Sequence, residues 1–133
     1  MKTASESITF RCGATMKNRF MLAPLTNSQS LENGILSDAE FNWLTMRAKG
    51  GFGLVMTCAT HVQENGKGFQ GQLGIFSDIH IKGHQRLAKE LKSHGALAQN
   101  IIFKTPLLYE EVIFMRALKK DHVNILLWVQ VFL

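Results

Sequence analysis

The stretch Lys17-Asn18-Arg19-Phe20-Met21-Leu22-Ala23-Pro24-Leu25-Thr26-Asn27 decides the fold of this chain. Residues 19–23 are almost continuously apolar, which is typical of a strand that is covered on both faces in a parallel sheet. A proline cannot donate to a strand ladder, so the strand ends before Pro24 and a turn follows. The alternating pattern of residues 8–11 and the turn signal after Gly13 predict a short hairpin ahead of this strand.

Two helix patterns alternate with two further strands downstream. Ser37 and Glu40 have the spacing of a capping box, in which the Glu40 side chain reaches back to the Ser37 amide, so a helix begins there. Residues 53–59 and 96–98 are predicted strands, and Ser77 caps a second helix between them. One face of each helix is apolar: Phe41, Leu44, Thr45 and Ala48 in the first; Leu87, Ala88 and Leu91, together with His84, in the second. The order β, α, β, α, β predicts an α/β fold with a parallel sheet, and it leaves open whether that sheet is flat or closed into a barrel.

Length and charge limit the possible classes of protein. The chain has 133 residues, enough for one domain, whereas a complete (β/α)8 barrel needs about 250. Its formal net charge is +5, but the basic residues are scattered and form no stripe, which argues against nucleic-acid binding. The apolar run at residues 125–133 is too short to cross a membrane.

The cysteines and the N-terminus predict a cytoplasmic protein. Cys12 and Cys58 are too few and too far apart for a disulfide framework or a Cys-x-x-Cys metal site, and neither has an activating base nearby in the sequence. Residues 1–7 lack the apolar core of a signal peptide.

Other patterns give weaker signals. His80 and His84 have an i, i+4 spacing that can bind zinc, but no glutamate or third ligand accompanies them, so a capping or solvent-facing pair is favoured and no metal is expected. His61 is predicted to be a loop histidine. The glycine-rich residues 65–74 match no phosphate-binding motif and are predicted to form a flexible rim of the site.

Several stretches in a fixed order resemble the old yellow enzyme family of FMN-dependent ene-reductases and NADH:flavin oxidoreductases. They are Lys17-Asn18-Arg19 with Ala23-Pro24-Leu25-Thr26, Arg47-Ala48-Lys49-Gly50-Gly51, Gly53-Leu54-Val55-Met56-Thr57, Gly66-Lys67-Gly68-Phe69 with Leu73-Gly74-Ile75-Phe76-Ser77-Asp78, and His94-Gly95-Ala96. The resemblance covers residues 8–98. It implies the N-terminal β/α units of an incomplete TIM (β/α)8 barrel at residues 1–100, followed by a divergent tail at residues 101–133. Within that tail, residues 110–120 are a possible helix and residues 123–133 a possible strand.

The resemblance also implies a cofactor site. Pro24 and Leu25 would contact the isoalloxazine of FMN, and the Thr26 hydroxyl would hydrogen-bond near its C4 carbonyl. Ala59 would offer its backbone amide to the flavin edge, and Gln99 would reach the pyrimidine edge, although it stands about two residues earlier than the family's glutamine. The residues alone leave another interpretation open, in which Pro24 merely ends a strand and Thr26 caps a turn.

The implied function is that of an NAD(P)H-dependent flavoprotein oxidoreductase of the ene-reductase type, acting on a small-molecule electron acceptor. The family's substrate-binding His/Asn pair, its proton-donating Tyr and its phosphate-binding loops belong to regions that this sequence does not match, so no catalytic residue is assigned. His122 and Asn124 imitate that pair only by coincidence. We therefore expect a fragment that is inactive alone. The main alternative is a truncated or frameshifted, non-catalytic α/β product that needs a partner or aggregates. A second alternative is a different FMN-using or phosphate-using α/β barrel with the same early corner. The oligomeric state is left open.

Overall fold

The computed structural model describes residues 3–103 of the chain, with the backbone alone from residue 99 onward. The N-terminal hairpin is present: β1 (Ile8–Thr9) pairs antiparallel with β2 (Thr15–Met16). Gly13 makes the turn between them with a φ of +85°. The predicted hairpin is therefore confirmed.

A four-stranded parallel sheet follows. Its strands are β3 (Met21–Leu22), β4 (Leu54–His61), β5 (Leu73–Gly74) and β6 (Leu97–Phe103). The long strand β4 is central, because β3 and β5 pair with opposite ends of one edge while β6 pairs along the other. The three predicted strands thus lie side by side in the order of the sequence, and β5 is an additional short strand that the sequence did not indicate.

Two helices connect these strands. The first, α1 (Asp38–Lys49), leads from β3 to β4, and the second, α2 (Ile81–Ser93), leads to β6. Short 3-10 turns precede and follow β5, at Glu64–Gly66 and Asp78–His80. Because the strand order runs in one direction, right-handed crossovers place both helices on the same face of the sheet, as in a barrel wall. An ion pair of 2.6 Å between Arg86 and Asp38 links the two helices there.

The core lies between the helices and the sheet. Leu44 and Ala48 of α1 are fully buried, and Leu87 and Leu91 of α2 are 2% and 1% exposed. The remaining core residues come from the sheet and its connections: Leu36, Val55, Leu73 and Ala96. The predicted apolar faces of both helices are confirmed, although Phe41 and Thr45 of the first helix are only partly buried.

The structure corrects the prediction for the first strand. Only Met21–Leu22 forms a ladder, and Phe20 and Met21 are 53% and 48% exposed, so the expectation of a strand covered on both faces is wrong for the described residues. The physical reason is its place in the sheet: β3 pairs with β4 on one side, and no strand within residues 3–103 pairs with its other side.

The predicted helix at residues 110–120 and strand at residues 123–133 lie outside the described residues, as do His122 and Asn124. The domain boundary placed near residue 100 stays a prediction. Within residues 3–103, neither α1 nor α2 has the length and hydropathy that crossing a bilayer requires.

Candidate functional site

The C-terminal ends of β3 and β4 lie side by side at one edge of the sheet. Leu22, the last residue of β3, pairs in parallel with Val55, and β4 continues from there to His61. Ligands of parallel α/β proteins bind where the carboxyl ends of the strands meet. The candidate site is therefore the turn after β3, which we call the corner and define as residues 24–26.

All three corner side chains, Pro24, Leu25 and Thr26, are exposed. Leu25 has 51% of its surface accessible, although leucine is among the residues most often buried. A pyrrolidine ring and a leucine side chain form an apolar wall, and the adjacent hydroxyl can donate or accept one hydrogen bond. This combination suits a flat, largely apolar ligand with a polar edge.

A buried polar cluster underlies the corner. It consists of Glu40, Ser30, Asn27 and Cys58, and we call it the Glu40 cluster. The Glu40 side chain is fully buried, and its Oε2 accepts a hydrogen bond from the Ser30 hydroxyl. Burial raises the pKa of Glu40, although hydrogen bonds from Ser30, Cys58 and Asn27 oppose this rise. The proton affinity of this carboxyl is thus set mainly by its removal from water.

The position of Glu40 differs from the capping-box prediction. Ser37 does accept a hydrogen bond from the Glu40 amide at 3.1 Å, so the first half of the box is correct. The Glu40 side chain, however, bonds Ser30 and does not reach back to Ser37. The carboxyl that turns toward the loop after β3 satisfies a buried donor there, the Ser30 hydroxyl.

Cys58 is a buried thiol on β4. Burial, followed by the negative charge of Glu40, raises the pKa of the Cys58 thiol to about 12. The backbone groups of Leu25 and Asn27 oppose the rise in its pKa. A thiol with so high a pKa is protonated at neutral pH.

A β-bulge explains how Cys58 reaches this position. The pairing of β4 with β6 shifts by one residue between Met56 and Ala59, so that Thr57 and Cys58 oppose a single residue of β6. A bulge of this kind bends the strand and re-aims the side chains in it. As a result, every residue from Thr57 to the end of β4 is buried, without the alternation of a regular strand.

Three histidines fix the segments around β5. His61 is the last residue of β4 and only 2% exposed, so its prediction as a loop residue is wrong; β4 runs two residues further than its apolar pattern. Its Nδ1 lies 2.8 Å from the Gln63 carbonyl, and burial is the main cause that lowers its pKa. Its Nε2 is buried, with no hydrogen-bond partner in the described part of the chain.

The pair at i, i+4 is structural. His80 caps the second helical segment, since its Nδ1 accepts from the Ser77 amide at 3.2 Å and its Nε2 lies 3.1 Å from the Asn33 carbonyl. His84 places Nε2 at 2.9 Å from the Gly74 carbonyl. The capping role is confirmed for His80, whereas a solvent-facing position is wrong for both, as both are buried. Residues 3–103 contain no group of three or more potential ligands placed to hold a metal ion.

Two open depressions flank the corner and the end of β4. One, of about 470 Å³, lies between the loop after β3 and the loop before β5 and is lined by Ser28, Ser30, Glu32, Phe69, Gln70 and Gly71. The other, of about 580 Å³, lies just beyond β4 and is lined by Val62, Gln63, Glu64, Asn65 and Phe76. The glycine-rich residues 65–74 thus border the same edge of the sheet as the corner.

The predicted site residues fall into three groups. Pro24, Leu25 and Thr26 form the exposed corner, and Ala59 lies on β4, 5% exposed, one residue beyond Cys58. Gln99 is on β6, paired with Met56, and its side chain lies outside the described residues. Sequence reasoning missed Asn27, Ser30 and Glu40 as members of the site, because their contacts join residues far apart in the chain.

Comparison with known proteins decides the family. The model of the NADH:flavin oxidoreductase / NADH oxidase family matches residues 6–111, which is most of the chain. This chain belongs to that family. The old yellow enzyme resemblance seen in the sequence is thereby confirmed.

Similar curated members of the NADH:flavin oxidoreductase family are longer proteins. The chain is 38% identical over 97 residues to a probable NADH-dependent flavin oxidoreductase of Bacillus subtilis, covering 73% of this chain and 26% of that protein. It is 41% identical over 86 residues to an NADPH dehydrogenase of Listeria welshimeri, covering 63% of this chain and 25% of the relative. The chain therefore spans about a quarter of the length of these relatives.

Solved structures of the family share the fold. The old yellow enzyme homologue from Zymomonas mobilis superposes with a TM-score of 0.69 at 24% identity, over 76% of this chain and 28% of that one. The old yellow enzyme from Trypanosoma cruzi gives a TM-score of 0.64 at 27% identity, over 74% of this chain and 26% of the other. The predicted fold class, N-terminal β/α units of a TIM barrel, is confirmed.

Proposed function

We propose that this chain forms one wall of the FMN site of an NAD(P)H-dependent, ene-reductase-type oxidoreductase that reduces a small-molecule electron acceptor. The observation that carries the proposal is the exposed corner at the C-terminal end of β3, in a chain that belongs to an FMN-dependent family. Relatives named for NADH and NADPH support a nicotinamide as the reductant.

The described residues fit a flavin. Pro24 and Leu25 offer an apolar surface that is exposed among residues 3–103, where an isoalloxazine would lie. The Thr26 hydroxyl, exposed on the same turn, would donate to the C4 carbonyl of the ring. Ala59 would supply a backbone N–H to the ring edge, and Gln99 would approach the pyrimidine edge from β6.

Bound FMN would supply hydride transfer from NAD(P)H to the acceptor. The contribution of this chain is to bind and orient the ring and to tune it. A hydrogen bond from Thr26 to the C4 carbonyl is stronger when the ring carries more electron density, so it favours the reduced flavin. In the described part of the chain, no side chain is assigned as a proton donor to the acceptor.

We also place the protein in the cytoplasm. Both cysteines are free thiols, and Cys12 is exposed, which suits a reducing compartment.

An FMN titration of the chain tests the proposal. Binding would perturb the visible flavin absorbance and quench its fluorescence, with saturation near one FMN per chain. Thr26→Val keeps the shape of the side chain and removes the hydroxyl, so it would make the flavin potential more negative in a dithionite titration against a reference dye. The matched control, Thr15→Val on the distant hairpin, would leave the potential unchanged. Absence of binding at saturating FMN would refute the proposed site.

A second candidate is a non-catalytic α/β protein that associates through the edge at β3. The exposures of Phe20 and Met21, at 53% and 48%, favour it because neighbouring apolar side chains at a strand edge promote association. Sedimentation of the parent chain and a Met21→Lys variant distinguishes this candidate. Self-association that the lysine abolishes would support it, and a monomeric parent chain that binds FMN would exclude it.

A further inference from the structure

The fold holds two Asn-Gly sequences, Asn33-Gly34 and Asn65-Gly66, in different ways. In such a sequence the backbone nitrogen of the glycine can attack the side-chain carbonyl carbon of the asparagine, because glycine has no β-carbon to hinder the approach. The attack requires the glycine N–H to leave its own hydrogen bond and the asparagine side chain to rotate toward it. The contacts of each pair therefore decide whether it reacts in the folded chain.

Asn33 is anchored through its side chain and its backbone. Its Oδ1 accepts a hydrogen bond from the Ile35 N–H at 3.2 Å, and its carbonyl oxygen lies 3.1 Å from His80 Nε2. Gly34 is buried, and its carbonyl oxygen accepts from the Gly74 N–H at 2.8 Å. A methyl group added to Gly34 would lie 3.0 Å from the Gly74 nitrogen, so the two segments are in close contact. Rotation of the Asn33-Gly34 pair would break several of these contacts together.

Asn65 has no comparable anchor within residues 3–103. Its side chain is exposed and makes no hydrogen bond there. The residue belongs to the isolated 3-10 turn Glu64–Gly66, whose Gly66 N–H donates to the Gln63 carbonyl at 3.0 Å. A single 3-10 turn has poor hydrogen-bond geometry, and Gly66 is only partly buried, so this turn opens at low cost.

Opening of the turn leaves the Gln63 carbonyl with a hydrogen bond. Its oxygen also lies 2.8 Å from His61 Nδ1, and a carbonyl oxygen can accept two hydrogen bonds. The bond to the His61 ring therefore remains when the Gly66 N–H turns away. Water can replace the bond that the partly exposed Gly66 N–H gives up, so no buried polar group loses its only partner.

We propose that Asn65 is a site of spontaneous deamidation in the folded chain, whereas the fold protects Asn33. The Gly66 nitrogen bonds to Asn65 Cγ and loses its proton, the side-chain nitrogen leaves as ammonia, and a cyclic succinimide forms. Water then opens the ring at either carbonyl and yields aspartate or isoaspartate. The net reaction consumes one water and releases one ammonia, and it needs no oxidant or reductant.

Deamidation would change the surface beyond β4. Asn65 and Glu64 both line the depression of about 580 Å³ there. The reaction places a second carboxylate beside Glu64, and isoaspartate also adds a carbon to the backbone within the 3-10 turn. The depression thereby becomes more negative and its wall changes shape. This inference is independent of the proposed flavin contact, because no corner residue takes part.

Peptide mapping by mass spectrometry, with enzymatic labelling of isoaspartate, follows both asparagines in the full chain at mildly alkaline pH. A glutamate precedes each Asn-Gly pair, so the two sites are closely matched in local sequence. At Asn33 at least two more hydrogen bonds must break, and each corresponds to about a fivefold change in an opening equilibrium. Asn65 is therefore expected to react at least about tenfold faster than Asn33 in buffer, and at a similar rate in urea that unfolds the chain.

Gly66→Ala provides the matched variant. The φ of Gly66 is not positive, so alanine fits the backbone there, and its β-carbon should slow the reaction at Asn65 without changing Asn33. Circular dichroism of each sample checks that the chain is folded in buffer. Equal rates at the two asparagines in buffer, or an intact Asn65 in buffer when urea allows it to react, would overturn the inference. An unchanged rate at Asn65 in Gly66→Ala would overturn the attack by the Gly66 nitrogen.

Discussion

Gly71 provides a sharp test of how the loop after β3 is held. Its φ is +74°, and a Cβ at this position would lie 2.3 Å from the Ser28 carbonyl oxygen and 2.6 Å from the Ser28 carbonyl carbon. Both are backbone atoms, so no side-chain rotation can relieve the overlap. Gly71→Ala therefore has to move one of the two chain segments, and it would weaken the 3.0 Å hydrogen bond between the Ser30 amide and the Gly71 carbonyl.

Three effects add to the cost of Gly71→Ala. An alanine at positive φ costs about 1 to 2 kcal/mol. Overpacking against a fixed backbone costs about 1 to 3 kcal/mol, and loss of one hydrogen bond costs about 1 kcal/mol. The expected loss is about 4 kcal/mol, a large share of the total stability of a small domain.

Gly13→Ala is the matched control, because Gly13 has a φ of +85° and a methyl group added to it would meet no atom within 4 Å beyond its chain neighbours. Gly13→Ala incurs only the cost of placing an alanine at positive φ, so the expected loss of stability is about 1 kcal/mol. Urea unfolding followed by far-ultraviolet circular dichroism measures both. If Gly71→Ala costs no more than Gly13→Ala, the close packing of Gly71 on Ser28 is refuted.

Three predictions concern titratable groups. A thiol reagent at mildly alkaline pH is expected to modify Cys12 at once and Cys58 only on unfolding, since burial raises the pKa of Cys58 to about 12; two rapidly reacting thiols in the folded chain would contradict this. Burial lowers the pKa of His61 from 6.5, so the unfolded state binds more protons than the folded state at acidic pH. The free energy of unfolding should therefore fall as the pH decreases below 6.5, and it should fall less steeply in His61→Gln. Burial raises the pKa of Glu40 from 4.5, so the contribution of its protonated form to stability is present below pH 4.5 and is lost as the pH rises through the folded-state pKa. Glu40→Gln should remove this dependence of stability on pH. Urea midpoints measured against pH test the predictions for His61 and Glu40.

The local features of the fold were predictable from sequence because neighbouring residues determine them. Pro24 ends a strand by lacking an N–H, and Ser37 begins α1 because its hydroxyl accepts from the amide of Glu40. The apolar spacing of Leu44 and Ala48 specified which face of that helix is buried. The same reasoning located the corner, since ligand groups follow the ends of strands in a parallel sheet.

The support beneath the corner was not predictable, because it depends on pairing between distant segments. Cys58 reaches the corner through a bulge that exists only where β4 pairs with β6. The spacing of Ser37 and Glu40 predicts a capping box, but the Glu40 carboxyl accepts a hydrogen bond from Ser30, ten residues earlier, and both residues are buried. His61 was assigned to a loop because its polarity concealed that β4 continues to pair with β5 and β6 at that residue.

If the exposed corner is a flavin contact surface, bound FMN perturbs the corner amides, and NMR of the chain titrated with FMN detects that change. The amide signals of Leu25, Thr26 and Ala59 are expected to shift and saturate together. Met46, which is 65% exposed on the outer side of α1, should keep its signal unchanged. Saturation without any change at the corner, or shifts concentrated around Met46, would contradict this contact surface.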